Sequence, residues 1–307
     1  MTADTRIIFV MGPTATGKTE LALRLYEKLD AEIVSVDSAM VYKDMDIGTA
    51  KPDKSILQSI PHHLIDICDP VEAYSAARFQ QDASVLIDKI IERGKTAILV
   101  GGTGLYFRAL EQGLADLPDA NYRIRARLDE QGKQEGWPAM HARLAAIDPV
   151  SAQRINENDP QRIQRALEVY EITGLSMSEL MAEGRTRSLP YPVEKILLMP
   201  QDRSELHARI KQRFQAMLER GLVDEVRRLY DRGDLSLDLP SMRLVGYRQV
   251  WRYLAGETDH DTMVEHAVVA TRQLAKRQMT WFRGENAANC YDPLEKGIFD
   301  KVLTHMH

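Results

Sequence analysis

Residues 12–19 constrain this chain more than any other stretch, because the letters GPTATGKT fit the pattern G-x-x-x-x-G-K-[ST]. Glycines at its two ends let the backbone wrap closely enough for N–H groups to point at phosphate oxygens. The lysine adds a positive charge, and the threonine hydroxyl can hold a magnesium ion. The pattern predicts a phosphate-binding loop that consists of Gly12, Pro13, Thr14, Ala15, Thr16, Gly17, Lys18 and Thr19. Thr19 is the predicted metal ligand of this loop.

The segments on either side of this loop favour a strand and a helix. Residues 7–10 form an apolar, β-branched run that is typical of a buried parallel strand. After the loop, Leu21, Ala22, Leu25 and Leu29 recur at helical spacing. This order places the phosphate at the positive end of the helix. The loop does not specify which phosphate compound it binds, and whether a nucleotide such as ATP also binds there stays open.

The composition limits the class of protein. The 307 residues, of which 44% are hydrophobic and 28% charged, indicate a soluble globular protein of one large domain or two. No apolar run approaches the length of a membrane span, and the N-terminus lacks the pattern of a signal peptide. The two cysteines, Cys68 and Cys290, exclude a disulfide framework and a cysteine-rich zinc module. A reducing cytoplasm is the expected location.

The distribution of charge is uneven. The net charge of −5 argues against a nucleic-acid partner, yet residues 121–307 contain 22 Arg and only 6 Lys. Arginine forms bidentate pairs with phosphate and stacks on bases, whereas lysine is a hydrated point charge. The arginine content of this part is a weak indication of a nucleic-acid partner.

Asp37 directly follows a second predicted strand at residues 32–36. The carboxyl ends of parallel strands line the ligand crevice of an open sheet, so Asp37 is expected beside the phosphate loop. Two functional roles stay open for it, a magnesium ligand or a base for an incoming nucleophile. Alternatively, Asp37 has a purely structural role and caps a helix or stabilises a turn.

A second glycine-rich turn follows the predicted strand at residues 96–100. Its letters GGTGLY at residues 101–106 would present N–H groups and the Thr103 hydroxyl to the same crevice. The histidine pair at residues 62–63 is expected to serve packing and hydrogen bonding, because no third metal ligand stands at a suitable spacing.

From about residue 117 the alternation of strands and helices stops, and residues 121–185 have entirely helical patterns. Residues 193–199 then return as a strand, which predicts a helical insertion at 118–192 within a core of 1–117 and 193–307. One inserted helix begins at Asp159-Pro160, an N-cap followed by a proline at the first position. Its first turns carry the polar residues Gln161, Arg162, Gln164 and Arg165. These side chains either form a solvent-exposed face or contact anions and the edges of bases.

Arg213 lies at the edge of an apolar helical stripe formed by Leu206, Ile210, Phe214 and Met217. A buried arginine requires a partner. Carboxylate and phosphate partners are both consistent with the sequence.

These patterns predict an α/β fold with a P-loop NTPase-like parallel sheet, flanking helices and an inserted all-helical domain. Together the motifs resemble the tRNA dimethylallyltransferases, or isopentenyltransferases, in their bacterial form. The resemblance covers nearly the whole chain in the right order, without the cysteines of the C-terminal zinc finger of eukaryotic members. It is carried by residues 12–19, 37–38 with 41–42 and 46–52, 101–106, 159–165, 246–247 and 275–278.

The resemblance implies transfer of a dimethylallyl group from dimethylallyl diphosphate to the exocyclic N6 amine of the adenosine 3′ of the anticodon. Lys18, Thr103 and Arg213 would then stabilise the departing diphosphate, Mg²⁺ would bind Thr19, and Asp37 would accept the hydrogen of the amine. The implied partners are the tRNA anticodon stem-loop and dimethylallyl diphosphate, and the expected protein is a monomer. The implied tRNA contacts are Asp37, Ser38, Ala39, Met40, Thr103, Arg125, Gln161, Arg162, Ile163, Gln164, Arg165, Met242, Arg243, Leu244, Val245, Gly246 and Tyr247.

Two rival functions remain compatible with parts of the sequence. An ATP-dependent small-molecule kinase shares the strand, loop and helix, but no second magnesium aspartate follows a later strand, and the arginine-rich insertion is large for a lid. A non-catalytic RNA-binding protein would leave the phosphate loop without a role.

Overall fold

The structure, a computed structural model, describes residues 7–184, 186, 188–285 and 288–305. In this part of the chain, six parallel strands form one sheet in the order β3-β2-β4-β1-β5-β6. The predicted α/β class with a parallel sheet is therefore confirmed. The strands are β1 (Ile7–Met11), β2 (Ala31–Val36), β3 (His62–His63), β4 (Thr96–Gly101), β5 (Val193–Leu198) and β6 (Asn289–Tyr291).

The helices fall into three groups along the chain. The first connects the early strands and consists of α1 (Lys18–Lys28), α2 (Lys54–Ser59), α3 (Ala76–Glu92) and α4 (Gly104–Gln112). The inserted group consists of α5 (Tyr122–Glu135), α6 (Trp137–Ile147), α7 (Pro149–Arg154), α8 (Pro160–Thr173) and α9 (Met177–Glu183). After β5 the chain forms α10 (Arg203–Glu219), α11 (Leu222–Tyr230), α12 (Tyr247–Leu254), α13 (His260–Phe282) and α14 (Ile298–His305).

The sheet separates two apolar clusters, because successive side chains of a strand point to opposite faces. Ile7, Phe9 and Met11 of β1 belong to the larger cluster, together with buried residues of α3, α10 and α13. Ile8 and Val10 belong to the other, with residues of α1 and α14. Every residue of β1 is buried, which explains its continuous apolar run. All the strands end at the same edge of the sheet, and this edge carries the candidate site.

The chain divides into two compact units, residues 1–111 with 189–307 and residues 112–188. The insertion was predicted at 118–192, so both boundaries lie earlier than expected. Leu189 belongs to the sheet-containing unit because its N–H donates to the Leu110 carbonyl at 2.9 Å, and the Tyr191 hydroxyl donates to Asp88 at 2.7 Å. Within the inserted unit, the Leu114 N–H donates to the Thr186 hydroxyl at 2.9 Å.

The inserted unit has its own small core. Leu128, Met140, Leu144 and Leu167 form its buried centre, with Trp137 packed against them. The predicted α8 is present, with Asp159 as its N-cap, Pro160 at its first position and Gly174 in the left-handed conformation at its end.

The sequence did not predict two short strands, β3 and β6. Each has only two or three residues and lies at an edge of the sheet, so neither forms a periodic pattern. None of the described helices combines the length and the apolar character that a membrane crossing requires.

Candidate active site

The phosphate loop connects β1 to α1 at the carboxyl edge of the sheet. Gly12 has a φ of 150°, and a Cβ at this position would lie 2.4 Å from the Leu198 carbonyl oxygen. Gly17 has a φ of 78° and forms the left-handed N-cap of α1. The Thr16 hydroxyl donates to the Pro13 carbonyl at 2.8 Å and closes the loop on itself. The two glycines of the motif therefore stand where other residues would clash or be strained.

Lys18 extends back across this loop. Its Nζ donates to the Pro13 carbonyl at 2.6 Å. Burial lowers the pKa of Lys18 to about 7, an effect that the Asp37 carboxylate opposes and the Arg213 guanidinium reinforces. The Lys18 ammonium is thus held in a poorly solvated position where an anionic ligand would favour its charged form.

Asp37 directly follows β2, as predicted. Its Oδ1 accepts a hydrogen bond from the Ala39 N–H at 2.8 Å, which fixes the orientation of the carboxylate. Next to it, the Ser38 N–H donates to the Thr103 hydroxyl oxygen at 3.1 Å. The turns after β2 and β4 are thereby joined. Gly101 permits this approach, since a Cβ there would lie 1.9 Å from the Val36 carbonyl oxygen.

Gln278 of α13 joins the phosphate loop to the second glycine-rich turn. Its Oε1 accepts the Thr14 N–H at 2.9 Å, and its Nε2 donates to the Gly102 carbonyl at 3.0 Å. The two bonds define the orientation of the Gln278 amide. If the amide were flipped, its NH₂ group would face the Thr14 N–H, and two donors would meet. The sequence included Gln278 only in the stretch 275–278 that carries the family resemblance, and gave it no role of its own.

Two adjoining cavities open at this edge, both formed by the sheet-containing unit. The first, of about 220 Å³, is lined by the phosphate loop, including Lys18 and Thr19. The second, of about 380 Å³, is lined by Ser38, Thr103 and the segment 243–247. The residues that line both cavities define their junction, and they are Thr14, Ala15, Asp37, Thr49, Gly102, Arg213 and Gln278.

Arg213 reaches this junction from α10. Burial lowers its pKa, and the Asp37 carboxylate raises it. No hydrogen bond or ion pair joins the guanidinium to another residue in the described part of the chain. Of the two partners that the sequence left open, a carboxylate in direct contact is therefore absent among those residues.

The predicted tRNA-contacting residues of the inserted unit divide into two groups. Arg125 and Arg165 both donate to Glu168, which is fully buried, at 2.7 to 3.0 Å. Ile163 lies in the core of the unit with no exposed surface, so its side chain is not available for contact. Arg162 has 69% of its side chain exposed, and within the described residues its guanidinium forms an ion pair only with Asp159, the N-cap of α8, at 3.3 Å. Gln161 is exposed, and Gln164 donates to Asp129 at 2.6 Å.

The predicted contacts in the segment 242–247 also divide. Met242 and Tyr247 are both buried in the larger core cluster, and Tyr247 also lines the second cavity. Arg243, Leu244 and Val245 line the second cavity and retain accessible surface. Contact of this segment with a tRNA stays a prediction.

The histidine pair has the structural role that the sequence favoured. His63 bonds the buried Glu32 at 2.7 Å, and burial lowers the pKa of His62. No group of three or more His, Cys, Asp or Glu side chains in the described ranges is arranged to hold a metal ion. A metal at this edge would therefore be bound by fewer than three such side chains, together with other oxygens such as those of Thr19 or of a ligand.

The fold and the site define an α/β protein of the P-loop-like class, in which a second cavity adjoins the one lined by the loop at residues 12–19. A family model described as IPP transferase matches residues 40–285. Curated relatives named tRNA dimethylallyltransferase, from Nitrosococcus oceani and Alkalilimnicola ehrlichii, are each 55% identical to this chain. The alignments cover 94% and 93% of this chain and 92% and 90% of those relatives.

The similar solved structures are of the same kind of enzyme as these relatives. The full-length tRNA isopentenylpyrophosphate transferase of Bacillus halodurans is 38% identical with a TM-score of 0.70, over 98% of this chain and 94% of that chain. A eukaryotic dimethylallyltransferase acting on tRNA is 26% identical with a TM-score of 0.81, over 99% of this chain and 77% of that chain. The chain therefore belongs to the tRNA dimethylallyltransferase family. The predicted family and enzyme class, a transferase, are confirmed, and the kinase alternative is not favoured.

Proposed function

We propose that this protein transfers the dimethylallyl group of dimethylallyl diphosphate to the N6 amine of the adenosine 3′ of the anticodon in tRNA. The observation that carries the proposal is the junction of the two cavities, which Asp37 and Arg213 both line. A transfer reaction needs its donor and acceptor to meet at one place. Two adjoining cavities with a carboxylate and a guanidinium at their junction meet that requirement.

The first cavity suits the diphosphate of the donor. Backbone N–H groups at the start of α1 and the Lys18 ammonium favour a polyanion. The Arg213 guanidinium has no direct partner among the described residues and would bind a diphosphate oxygen. It would stabilise the negative charge that develops on the diphosphate as the bond between the diphosphate and C1 of the dimethylallyl group breaks. The planar guanidinium of Arg213 can donate parallel hydrogen bonds to two oxygens of the diphosphate.

Magnesium fits the same cavity, because Mg²⁺ is usually held by one or two protein oxygens together with phosphate oxygens of the substrate. Thr19 lines the first cavity and would supply the protein oxygen. When bound, the ion would neutralise part of the charge of the diphosphate.

The second cavity suits the acceptor base. In the reaction, the N6 lone pair forms a bond to C1 of the dimethylallyl group, the C1–O bond electrons go to the diphosphate, and the surplus N6 proton goes to Asp37. The Ala39 N–H holds the Asp37 carboxylate in one orientation, and Thr103 joins this turn to the next. The adenine must leave the anticodon-loop stack to enter, which is base extrusion.

The remainder of the tRNA would contact exposed basic residues, of which Arg162 on α8 is one. Arg125 and Arg165 would act less directly, since Glu168 already compensates their charge. Single-stranded loops are the part of an RNA in which sequence can be read. The inserted unit is therefore proposed to serve tRNA binding, and the sheet-containing unit to perform the transfer.

The deciding experiment incubates the protein with an unmodified tRNA transcript, Mg²⁺ and dimethylallyl diphosphate labelled in its prenyl group, without ATP. The proposal expects label on the adenosine 3′ of the anticodon, and none on a control transcript with guanosine at that position. Label that appears elsewhere would contradict it, and so would transfer of the γ-phosphate to a small molecule in a parallel incubation with γ-labelled ATP. Binding of tRNA without transfer would indicate an RNA-binding protein.

A further inference from the structure

Glu225 is a buried carboxylate outside the catalytic groups, and it receives four hydrogen bonds. It lies on α11 with 2% of its surface exposed. Its Oε2 accepts the N–H groups of Asp46 at 2.9 Å and Ile47 at 2.7 Å. Its Oε1 accepts the N–H of Gly48 at 3.1 Å and the hydroxyl of Tyr247 at 2.6 Å. Three successive N–H groups that converge on one anion form a concavity of the kind that binds phosphate, and here the protein fills it with its own side chain.

Gly48 and Tyr247 are in close contact as well as bonded to the same carboxylate. A Cβ at position 48 would lie 2.5 Å from Cε2 of the Tyr247 ring and 2.9 Å from the Leu222 side chain. Only glycine fits there without displacing the ring. Burial raises the pKa of Tyr247 well above its usual value, and the Glu225 charge adds to this effect. The hydroxyl of Tyr247 therefore remains protonated and acts as a donor.

Lys51 anchors the far end of the same segment. Its side chain is 2% exposed, donates to the Tyr42 carbonyl at 2.6 Å, and forms ion pairs with Asp46 at 2.9 Å and with Asp66. The segment 46–51 is thus held at both ends. Between these anchors, Gly48 and Thr49 line the second cavity, and so does Tyr247 on the adjoining helix α12.

From this geometry, and resting on the proposed function, we propose that Glu225 is a positioning residue for the acceptor. It holds Gly48 and Tyr247 as one wall of the second cavity, so that the adenine is placed against Asp37. The charge of Glu225 matters because all four partners are donors. A glutamine at this position would present an NH₂ group to at least one of them and leave that donor unsatisfied.

The chain offers a matched control in Glu32. This glutamate is also buried, with 6% exposure, and it accepts from Arg93 at 3.1 and 2.7 Å and bonds His63 at 2.7 Å. It is the second residue of β2, whereas Asp37 follows the last, so about 16 Å of strand separates them. Glu32→Gln thus disturbs a buried carboxylate of the same unit at the opposite end of the sheet.

The experiment compares Glu225→Gln with Glu32→Gln at a temperature below the unfolding transition of both. We expect Glu225→Gln to lower kcat/KM for tRNA by roughly tenfold to a hundredfold, the effect of one lost hydrogen bond to a charged group. Dimethylallyl diphosphate should bind the Glu225→Gln protein with a dissociation constant within about threefold of the wild-type value, because the phosphate loop is untouched. Glu32→Gln should leave both quantities within about threefold while it lowers the unfolding temperature.

A milder variant and a second measurement keep the inference testable if Glu225→Gln folds poorly. Tyr247→Phe removes a single bond to Glu225, and we expect a smaller loss in the same parameter, kcat/KM for tRNA. Hydrogen exchange of the amides of residues 46–48 should accelerate in Glu225→Gln and not in Glu32→Gln.

The outcomes separate this inference from the proposed function. Equal losses in the two glutamine variants, or unchanged exchange at residues 46–48, would overturn the role of Glu225. A weakened diphosphate affinity as large as the loss for tRNA would also overturn it, since the segment would then serve the donor. If the wild-type protein transfers no prenyl group while exchange at residues 46–48 responds as expected, the proposed function fails and the anchoring of the segment stands.

Discussion

Lys18 is expected to make diphosphate binding depend on pH close to neutrality. Burial lowers the pKa of its ammonium to about 7 in the protein without ligand. A bound diphosphate favours the charged form, so the pKa of Lys18 is higher in the complex than in the free protein. Above pH 7, binding therefore draws a proton from the solvent.

The sign and size of the effect follow from these two pKa values. Below about pH 7, Lys18 is already charged when the ligand arrives, and its contribution to affinity is fully present. As the pH rises above 7, the free protein loses this proton and must regain it on binding. The affinity then falls by about tenfold per pH unit, or roughly fiftyfold between pH 7 and pH 9. The fall ends at the pKa that Lys18 has in the complex.

The assay is titration calorimetry of dimethylallyl diphosphate without tRNA and without Mg²⁺, between pH 6 and pH 9. Lys18→Arg is the matched control, because arginine remains charged throughout this range. The ligand's own titration is common to both proteins, so the ratio of their affinities isolates Lys18. Buffers with different heats of ionisation should also reveal greater proton uptake by the wild-type protein than by Lys18→Arg. A ratio that stays constant across the pH range would refute the reasoning.

Three further predictions concern the groups around this loop and the tRNA. Asp37→Ala should lower the single-turnover rate by roughly a hundredfold to ten-thousandfold, as for a lost general base, with unchanged diphosphate affinity in Mg²⁺; parallel losses would make Asp37 a magnesium ligand instead. Arg213→Lys should lower the transfer rate by about tenfold or more, because a point charge replaces a planar fork, and a wild-type rate would contradict a phosphate contact. Arg162→Ala should weaken tRNA binding and reduce its slope against log salt by about 1; an unchanged slope would exclude a phosphate contact there.

The structure changes how the inserted unit should be tested. From the sequence, Arg162 and Arg165 form one polar face of α8. In the fold, Arg165 donates to the buried Glu168 and to the Pro118 carbonyl, both at 2.7 Å. Its loss would leave a buried carboxylate short of a partner and destabilise the unit. A change in tRNA binding by Arg165→Ala would therefore mix stability with contact, whereas Arg162 reports on contact alone.

The parts that the sequence predicted correctly are those with local causes. The phosphate loop is a run of eight residues, and its two glycines, its lysine and the following helix N-terminus act within that run. Asp159, Pro160 and Gly174 set the ends of α8 through bonds to nearby backbone. Asp37 lies beside the loop because parallel strands end at one edge, which is a property of the fold class.

Tertiary structure alone decided which polar residues are exposed and which are bonded within the protein. Glu225 belongs to an amphipathic helix on which a glutamate is expected at the surface, yet four donors from the segment 46–48 and from Tyr247 surround it. The bonds of Gln278 to Thr14 and Gly102 cross more than 170 residues of sequence. The sequence by itself determined the loop, the strand ends and the order of elements, because each depends on neighbouring residues. The pairing of distant side chains depends on how the elements pack, and that packing is the sum of many contacts that no single stretch of the chain contains.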